Sequence, residues 1–213
     1  MRENELIPDA KFYFREINPN FTGIDKTDWV VKTTEDIFKG KRCLVFSVPG
    51  PFTPICSAFQ LPQFEKFYND FRFEYGIDEV YCHSISDWFV MDAWFKKENI
   101  KNVKILPDGN GDFARLLGMS VSRTDYGMGI RPWRSAFITT PYEQMEMMFA
   151  EPNMQDNLDH DPYEESSPQN ILEYLRRQKA GLDLKKDWLY PNTLKVNEYG
   201  QKARVFGKKE EAS

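Results

Sequence analysis

Apolar and polar positions along the chain alternate between strand-like and helix-like patterns. Residues 43–48 (Cys-Leu-Val-Phe-Ser-Val) form a continuous apolar run of strand length, which predicts a central strand buried on both faces. Residues 79–85 and 103–106 predict two further strands, and residues 88–98 predict a helix with Asp87 as its N-cap. Strands that alternate with helices predict an α/β fold whose parallel-containing sheet is covered on both faces.

The remaining patterns add two hairpins and two helices. Residues 12–32 predict a hairpin near the N-terminus, and residues 134–140 with 145–150 predict a second one. Residues 112–117 predict a short helix after an Asp-Gly turn. Ser167 followed by Pro168 is a good helix start, with serine as the cap and proline in the first position.

Composition and charge bound the kind of protein without naming its chemistry. The 213 residues suit one domain with extensions, and the net charge of −5 gives no general case for nucleic-acid binding. No apolar run approaches the roughly 18 residues of a membrane-spanning helix, and the N-terminus lacks the apolar stretch of a secretory signal. Three cysteines without a pairing pattern favour a reducing compartment. We therefore expect a cytoplasmic protein without a membrane partner.

The last part of the chain differs in charge from the rest. Residues 176–213 carry a local balance of +5, which leaves −10 for the remainder. We therefore predict a folded domain over residues 1–178 and a basic C-terminal extension over residues 179–213. A charged terminus of this kind is most often a solvated extension, and the alternative is a docking segment for an acidic partner.

Candidate chemistry is concentrated in one loop, residues 49–56, which reads Pro-Gly-Pro-Phe-Thr-Pro-Ile-Cys. The loop lies between the predicted central strand and a helix-like run, so Cys56 is expected at a helix N-terminus. The thiolate is the reactive form of cysteine, and helix N-termini and neighbouring cations favour it. Thr53, three residues earlier, can reach the same small space. Pro62 is expected to kink the helix because it lacks a backbone donor.

The Pro-x-x-x-Thr-x-x-Cys spacing of this loop resembles the active-site motif of the peroxiredoxins. Other segments are similar to their type II, peroxiredoxin-five-like branch and to bacterial hybrids that fuse such a domain to a glutaredoxin. The resemblance covers roughly residues 5–178 and implies a thioredoxin-like fold with a central mixed sheet; the glutaredoxin half and its Cys-x-x-Cys are not expected here. The segments that carry it are residues 84–94, 107–113, 127–134, 148–152 and 161–163.

The resemblance also implies roles for individual residues. Cys56 would be the peroxidatic nucleophile, Thr53 would bind the peroxide, and Pro49 would shield the sulfur from water. Arg134 matches the family's arginine, which stabilises the negative charge that develops during attack on the peroxide. Arg131 is the second candidate, with a role in supporting the sulfur or in binding a thiol reductant.

Each of these residues also has a purely structural interpretation. Cys56 would then be an inert core cysteine, Thr53 an N-cap and Pro49 a strand terminator. Arg134 and Arg131 would form surface ion pairs, which contribute little individually. The presence of the complete set Pro49, Thr53, Cys56 and Arg134 favours the functional interpretation.

The two other cysteines decide how an oxidised Cys56 would be reduced. Cys82 lies in a predicted strand, as in several plant type II members, and it is either a core residue, which we favour, or a resolving thiol. Cys43 lies in the central strand and is expected in the core. No cysteine follows Cys82. The resemblance therefore implies a one-cysteine cycle in which glutathione with glutaredoxin, or thioredoxin, supplies the reducing thiol.

No cofactor or metal is expected. His83 and His160 have no cysteine or histidine neighbours at ligand spacing, and Gly127-x-Gly129 is too weak a signal for nucleotide binding. Several large aromatic residues on or near connecting segments (Phe52, Trp88, Phe89, Trp94 and Trp133) are either core residues or, as in the family, neighbours of a homodimer face.

The resulting hypothesis is a peroxidase that reduces hydrogen peroxide and small alkyl hydroperoxides. Two alternatives belong to other classes. The first is a non-catalytic peroxide sensor that relays Cys56 oxidation to a partner protein, and the second is a holdase that uses exposed aromatic side chains. Catalytic turnover with a thiol reductant distinguishes the enzyme from both.

Overall fold

The computed structural model describes residues 4–20 and 26–182, and the backbone of two short strands beyond them. In chain order the strands and α-helices are β1 (Lys11–Ile17), β2 (Thr27–Thr33), α1 (Thr34–Phe38), β3 (Cys43–Ser47), α2 (Leu61–Lys66), β4 (Glu79–Ser84), α3 (Trp88–Lys97), β5 (Lys104–Pro107), α4 (Asp112–Leu116), β6 (Ser120–Ser122), β7 (Ile130–Pro132), β8 (Ser135–Thr139), β9 (Met145–Ala150), α5 (Pro168–Lys179), β10 (Leu194–Val196) and β11 (Lys202–Arg204).

Five strands form a central mixed sheet in the order β5-β4-β3-β8-β9. Strands β3, β4 and β5 run parallel to one another. On the other side of β3, β8 pairs antiparallel with β3, and β9 pairs antiparallel with β8. Every residue of β3 is buried, because neighbours flank it on both edges and the core covers both faces. The predicted central strand and mixed sheet are therefore confirmed.

The two faces of the sheet belong to two separate hydrophobic clusters. Along β3, Leu44 and Phe46 point into one cluster and Cys43 and Val45 into the other, which is the two-residue period of a strand. Helices α2, α3 and α5 supply aromatic and aliphatic side chains to the first cluster. The β1–β2 hairpin, α1 and α4 close the second cluster. Helices thus cover both faces, as predicted.

Local sequence signals account for the helix starts that position these layers. The Asp87 carboxylate accepts the Val90 N–H at 3.0 Å at the start of α3, and Ser167 caps α5 through the Asn170 N–H. Both predicted caps are confirmed. The hairpin of residues 12–32 is also present as β1 and β2, whereas α1 and the small β6–β7 hairpin were not predicted from the sequence.

The helix that contains Pro62 is irregular, as its proline predicted. The turn before it, Cys56–Gln60, is π-helical, and the Leu61 N–H donates to the Cys56 carbonyl five residues back. Pro62 has no N–H for the ordinary bond, and its ring excludes the carbonyl one turn earlier, so the backbone widens in front of it. A second π-helical segment, Asp70–Glu74, follows α2.

A buried polar network ties three sheet strands to α4. The Ser47 hydroxyl lies 2.9 Å from His83 Nδ1, and His83 Nε2 lies 3.2 Å from the Asp108 carboxylate. Asp108 also accepts the backbone N–H groups of Phe113 and Ala114 at 3.2 and 2.9 Å. His83 is therefore a member of a buried hydrogen-bond network that links neighbouring strands. Among the residues that the structure describes, no cluster of metal-ligating side chains occurs.

Two expectations concern the ends and surfaces of the chain. No helix in the described part is long and apolar enough to cross a bilayer. The basic extension over residues 179–213 lies mostly outside the described residues, so its boundary and its role remain predictions.

The Asp108 network generates a test of stability. We expect Asp108→Ala to lower the free energy of unfolding by roughly 3 kcal/mol, because the change leaves buried N–H groups and His83 without their acceptor. Urea unfolding followed by circular dichroism measures the loss. Asp112→Ala is the matched control, because that half-exposed carboxylate begins the same helix and pairs with Arg115 at 3.2 Å. Equal losses in the two variants would contradict the structural role of Asp108.

Candidate active site

The register of two neighbouring strands brings the Pro49–Cys56 loop beside Arg134. Strands β3 and β8 are antiparallel, and Ser47 at the end of β3 pairs with Ser135 at the start of β8. The chain that leaves β3 and the chain that enters β8 therefore meet at one edge of the sheet. Residues almost 80 positions apart in sequence become neighbours in this way.

The loop itself is a tight turn with one strained residue. The Thr53 N–H and hydroxyl both donate to the Gly50 carbonyl, at 3.4 and 2.8 Å. Phe52 takes the third position of this turn with a φ of +63°, which is normally a glycine conformation. Because it donates to Gly50, the Thr53 hydroxyl keeps its oxygen lone pairs for a further donor, and it makes no N-cap bond among the described contacts.

Cys56 lies in the first turn of the helix that follows the loop, as predicted, and its side chain is fully buried. The next residue anchors this turn, because Trp94 Nε1 donates to the Ser57 hydroxyl at 2.9 Å and the Ser57 N–H donates to the Thr53 carbonyl at 3.0 Å. Pro49, at the end of β3, is also buried. The sulfur is thus held in a site from which bulk water is excluded.

A buried arginine faces the sulfur. Arg134 is 1% exposed, and its Nη1 lies 3.4 Å from Cys56 Sγ and also donates to the Gln60 side-chain carbonyl. Burial by itself would lower the pKa of the guanidinium. The neighbouring Cys56 thiolate and the Asp161 carboxylate outweigh burial and raise that pKa. Arg134 is therefore a permanent positive charge beside the sulfur.

Three residues complete the surroundings of Arg134, and sequence reasoning gave none of them a role. Gln60 lies one turn after Cys56, and Asp161 pairs with Nε and Nη2 of the guanidinium. The ring of Tyr163 lies 5.6 Å from the guanidinium carbon. Gln60, a polar residue one turn after Cys56, was an available signal, whereas the Asp-Pro-Tyr segment was recognised only as a point of resemblance.

Arg131, the second candidate, lies over the loop and makes no described contact with the sulfur. A methyl group placed on Gly50 would lie 3.2 Å from Arg131 Nη1, and Arg131 Nε donates to the Met128 carbonyl at 2.7 Å. The resemblance favoured Arg134 as the partner of Cys56 and kept Arg131 as the second candidate. The geometry distinguishes them, with Arg134 on the sulfur and Arg131 on the loop.

The two remaining cysteines are core residues. Cys43 and Cys82 are fully buried and unpaired, and Cys82 belongs to the same cluster as Cys56. Burial raises the pKa of Cys43 to about 12 and that of Cys82 well above its usual value. Both side chains are therefore neutral thiols in the folded protein.

The aromatic residues near connecting segments divide into two groups. Trp94 and Trp133 are buried, and Trp88 packs on Phe14 with ring centroids 5.7 Å apart. Phe52 and Phe89 are about half exposed, at 47% and 52%. Three of the five are thus part of the packed interior, and two present apolar surface.

Comparison with known proteins agrees with this geometry. The Redoxin family profile matches residues 5–140. A peroxiredoxin of Rhizobium etli is 46% identical over 176 residues, which cover 83% of this chain and 97% of the relative. A hybrid peroxiredoxin of Haemophilus influenzae is 39% identical over 150 residues, 70% of this chain and 60% of the relative.

A solved structure agrees over a similar span. The Plasmodium falciparum antioxidant protein, named a 1-Cys peroxiredoxin, superimposes with a TM-score of 0.76 at 35% identity and covers 82% of this chain and 99% of its own. The mixed sheet described above is thus the thioredoxin-like fold of these proteins. The chain belongs to the peroxiredoxins, the thiol-dependent peroxidases, and within them to the type II branch.

Proposed function

We propose that this protein reduces hydrogen peroxide and small alkyl hydroperoxides through Cys56, and that an external thiol completes the cycle. The observation that carries the proposal is the 3.4 Å contact between Arg134 Nη1 and Cys56 Sγ in a fully buried site. A fixed positive charge next to a sulfur, away from water, stabilises both the thiolate and the charge that develops on the peroxide oxygens.

The reaction starts with the Cys56 thiolate, which attacks one peroxide oxygen. The O–O bond breaks, the sulfur is oxidised to a sulfenic acid, and the leaving oxygen takes up a proton to become water or an alcohol. A first external thiol condenses with the sulfenic acid, forming a mixed disulfide and water. A second thiol attacks that disulfide, which returns the Cys56 thiol and releases the oxidised reductant.

Thr53 and Arg134 provide suitable partners for the peroxide. The Thr53 hydroxyl donates to Gly50, so its oxygen can accept the peroxide O–H. A guanidinium has five N–H groups, and the described contacts of Arg134 with Cys56, Gln60 and Asp161 use four of them. The fifth, on Nη2, is the donor we assign to a peroxide oxygen. Pro49 contributes by keeping water from the sulfur.

The burial of Cys82 supports a one-cysteine cycle. A resolving thiol must be accessible and at least partly ionised, and Cys82 is neither, because it is fully buried with a raised pKa. We therefore infer that glutathione with glutaredoxin, or thioredoxin, reduces Cys56. The name of the Plasmodium relative, a 1-Cys peroxiredoxin, agrees with this cycle.

Substrate size, assembly and compartment follow from the same surfaces. A sulfur that is fully buried admits small peroxides more readily than bulky ones. The exposed rings of Phe52 and Phe89 favour a second copy of the chain as partner, because half-exposed aromatic side chains often mark an interface. Three unpaired cysteines suit the reducing cytoplasm.

The first prediction separates the enzyme from a sensor. We expect the wild type to consume many equivalents of hydrogen peroxide with glutathione and glutaredoxin or with thioredoxin, because each cycle regenerates Cys56. Cys56→Ser should abolish consumption and Cys82→Ser should retain it, measured as steady-state peroxide loss. A wild type that stops after one equivalent would support the sensor, and loss of turnover in Cys82→Ser would make Cys82 the resolving thiol.

The second prediction separates the two arginines. Arg134→Gln should slow the oxidation of Cys56 by roughly 100- to 1,000-fold, the usual cost of removing one preorganised donor from a developing charge. Arg131→Gln, the matched control, should cost less than tenfold because Arg131 contacts the loop. The oxidation rate of Cys56 in each variant is measured in single-turnover experiments, at a pH high enough that the rate no longer rises with pH. A larger loss in the Arg131 variant would reverse the assignment.

The third prediction follows from the raised pKa values of the core thiols. In Cys56→Ser, a pKa of about 12 leaves about one in ten thousand Cys43 side chains ionised at pH 8, and burial blocks access to Cys43 and Cys82. We expect no maleimide labelling of the folded variant and two labels after guanidinium unfolding, counted by mass spectrometry. Rapid labelling of Cys82 in the folded state would reopen its resolving role.

A further inference from the structure

The segment between β9 and α5, residues 151–166, crosses over the active site; we name it the strap. Its two ends are joined by Glu151, a buried carboxylate that accepts the N–H groups of Glu164 and Ser166, each at 2.9 Å, and the Ser166 hydroxyl at 2.7 Å. The Glu151 N–H donates to the Arg134 carbonyl at 3.1 Å. The strap is thus fastened to the backbone of the arginine that faces the sulfur.

The middle of the strap contacts the side chain of the same arginine. Asp161 Oδ1 accepts the Arg134 Nε–H at 3.2 Å, and Asp161 Oδ2 accepts from Nη2. A two-point contact between a carboxylate and a guanidinium fixes the plane and the rotation of the guanidinium, which a single bond cannot do. The opposite nitrogen, Nη1, is the one that faces Cys56 and Gln60.

Tyr163 holds the guanidinium from another direction. Its ring lies 5.6 Å from the guanidinium carbon, and its hydroxyl donates to the Gln63 side chain at 2.9 Å. The strap thereby connects Arg134 to α2, the helix that continues from Cys56. Burial raises the pKa of Tyr163 well above its usual value, so the phenol remains neutral beside the cation.

The carboxylate opposes the charge that the reaction needs. Asp161 is negative and partly cancels the positive charge that Arg134 offers to the sulfur. Its side chain is 36% exposed, so solvent weakens the attraction from that side. The contact also provides orientation, and a reacting group displaced by about 1 Å can lose on the order of 100-fold in rate.

We propose that Asp161 is a positioning residue for the peroxidase reaction, which orients the Arg134 guanidinium so that Nη1 points at Cys56 Sγ. Asp161 itself touches neither the sulfur nor the peroxide, and Tyr163 supports it from the same strap. The proposal rests on the proposed function, because it concerns the rate at which Cys56 reacts. The charged or titratable groups that interact with Arg134 are Cys56, Asp161 and Tyr163, and Glu151 in turn interacts with Tyr163.

The experiment measures single-turnover oxidation of Cys56 by hydrogen peroxide across pH, in the full-length protein. The rate at the alkaline plateau reports orientation, because the rate no longer depends on pH there. In Asp161→Ala we expect the plateau to fall by roughly 10- to 100-fold, because nothing then fixes the plane and rotation of the guanidinium. A role confined to stability would lower the unfolding temperature and leave the plateau of the folded variant unchanged.

Two further variants separate orientation from charge. Asp161→Asn removes the charge and keeps one acceptor, so its plateau should lie between those of the alanine variant and the wild type. Asp161→Glu keeps the charge and both acceptors, so its plateau should recover in part. Because Asp161 is partly exposed, these variants should fold, which thermal unfolding checks; the nearly isosteric Asp161→Asn carries the test if the alanine variant does not fold.

Asp159→Asn is the matched control. Its carboxylate lies in the same strap, is 88% exposed and pairs with His160 at 2.8 Å. We expect a plateau within twofold of the wild type. Plateau rates for Asp161→Ala and Asp161→Asn within twofold of an active wild type would overturn the positioning role alone. A wild type that shows no oxidation of Cys56 would overturn the proposed function and the positioning role together.

Discussion

The site depends on one buried guanidinium. Arg134 lies next to the sulfur with 1% of its surface exposed, and a cation in such a place is costly unless every side of it is paired. The structure pairs it with Cys56 and Gln60 on one nitrogen and with Asp161 on the other two. A cation held this way needs no rearrangement when negative charge develops, which is where preorganised sites gain most over water.

The sheet supplies the precision that this pairing requires. The nucleophile follows the end of β3 and the arginine precedes the start of β8, and the antiparallel ladder between these strands holds both ends in register. Both strands are buried along their whole length, so a slip by one residue would move every side chain from one close-packed cluster into the other, where its shape does not match the space. The hydrophobic core therefore sets the distance between sulfur and guanidinium.

Sequence patterns predicted the parts of this arrangement that depend on local chemistry. The apolar run of β3, the caps Asp87 and Ser167, and the irregular helix at Pro62 all follow from neighbours within a few residues. The motif around Cys56 likewise identified its loop. In these places local propensity and tertiary structure agree, which is the usual condition for a reliable prediction from one sequence.

The parts that were not predicted depend on contacts between distant residues. Gln60 and Asp161 gain their roles only because the sheet brings them to Arg134, from 74 and 27 positions away. The small strands β6 and β7 have three residues each and no apolar run to announce them. The resemblance ranked Arg134 before Arg131 by its place at the start of a strand, and the register of β8 is the physical reason that Arg134 meets the sulfur.

The burial of Cys56 also constrains the reduction step. An external thiol must reach the oxidised sulfur in line with the bond it breaks, and the sulfur is fully covered in this conformation. The proposed cycle therefore requires the first helical turn to open locally. That turn has a wide π-helical backbone, and the loop before it holds Phe52 at a positive φ, a strain of about 1–3 kcal/mol that opening can release. The hydrogen bonds from Trp94 to Ser57 and from Tyr163 to Gln63 oppose this opening, and they re-form the closed site once the reductant has left.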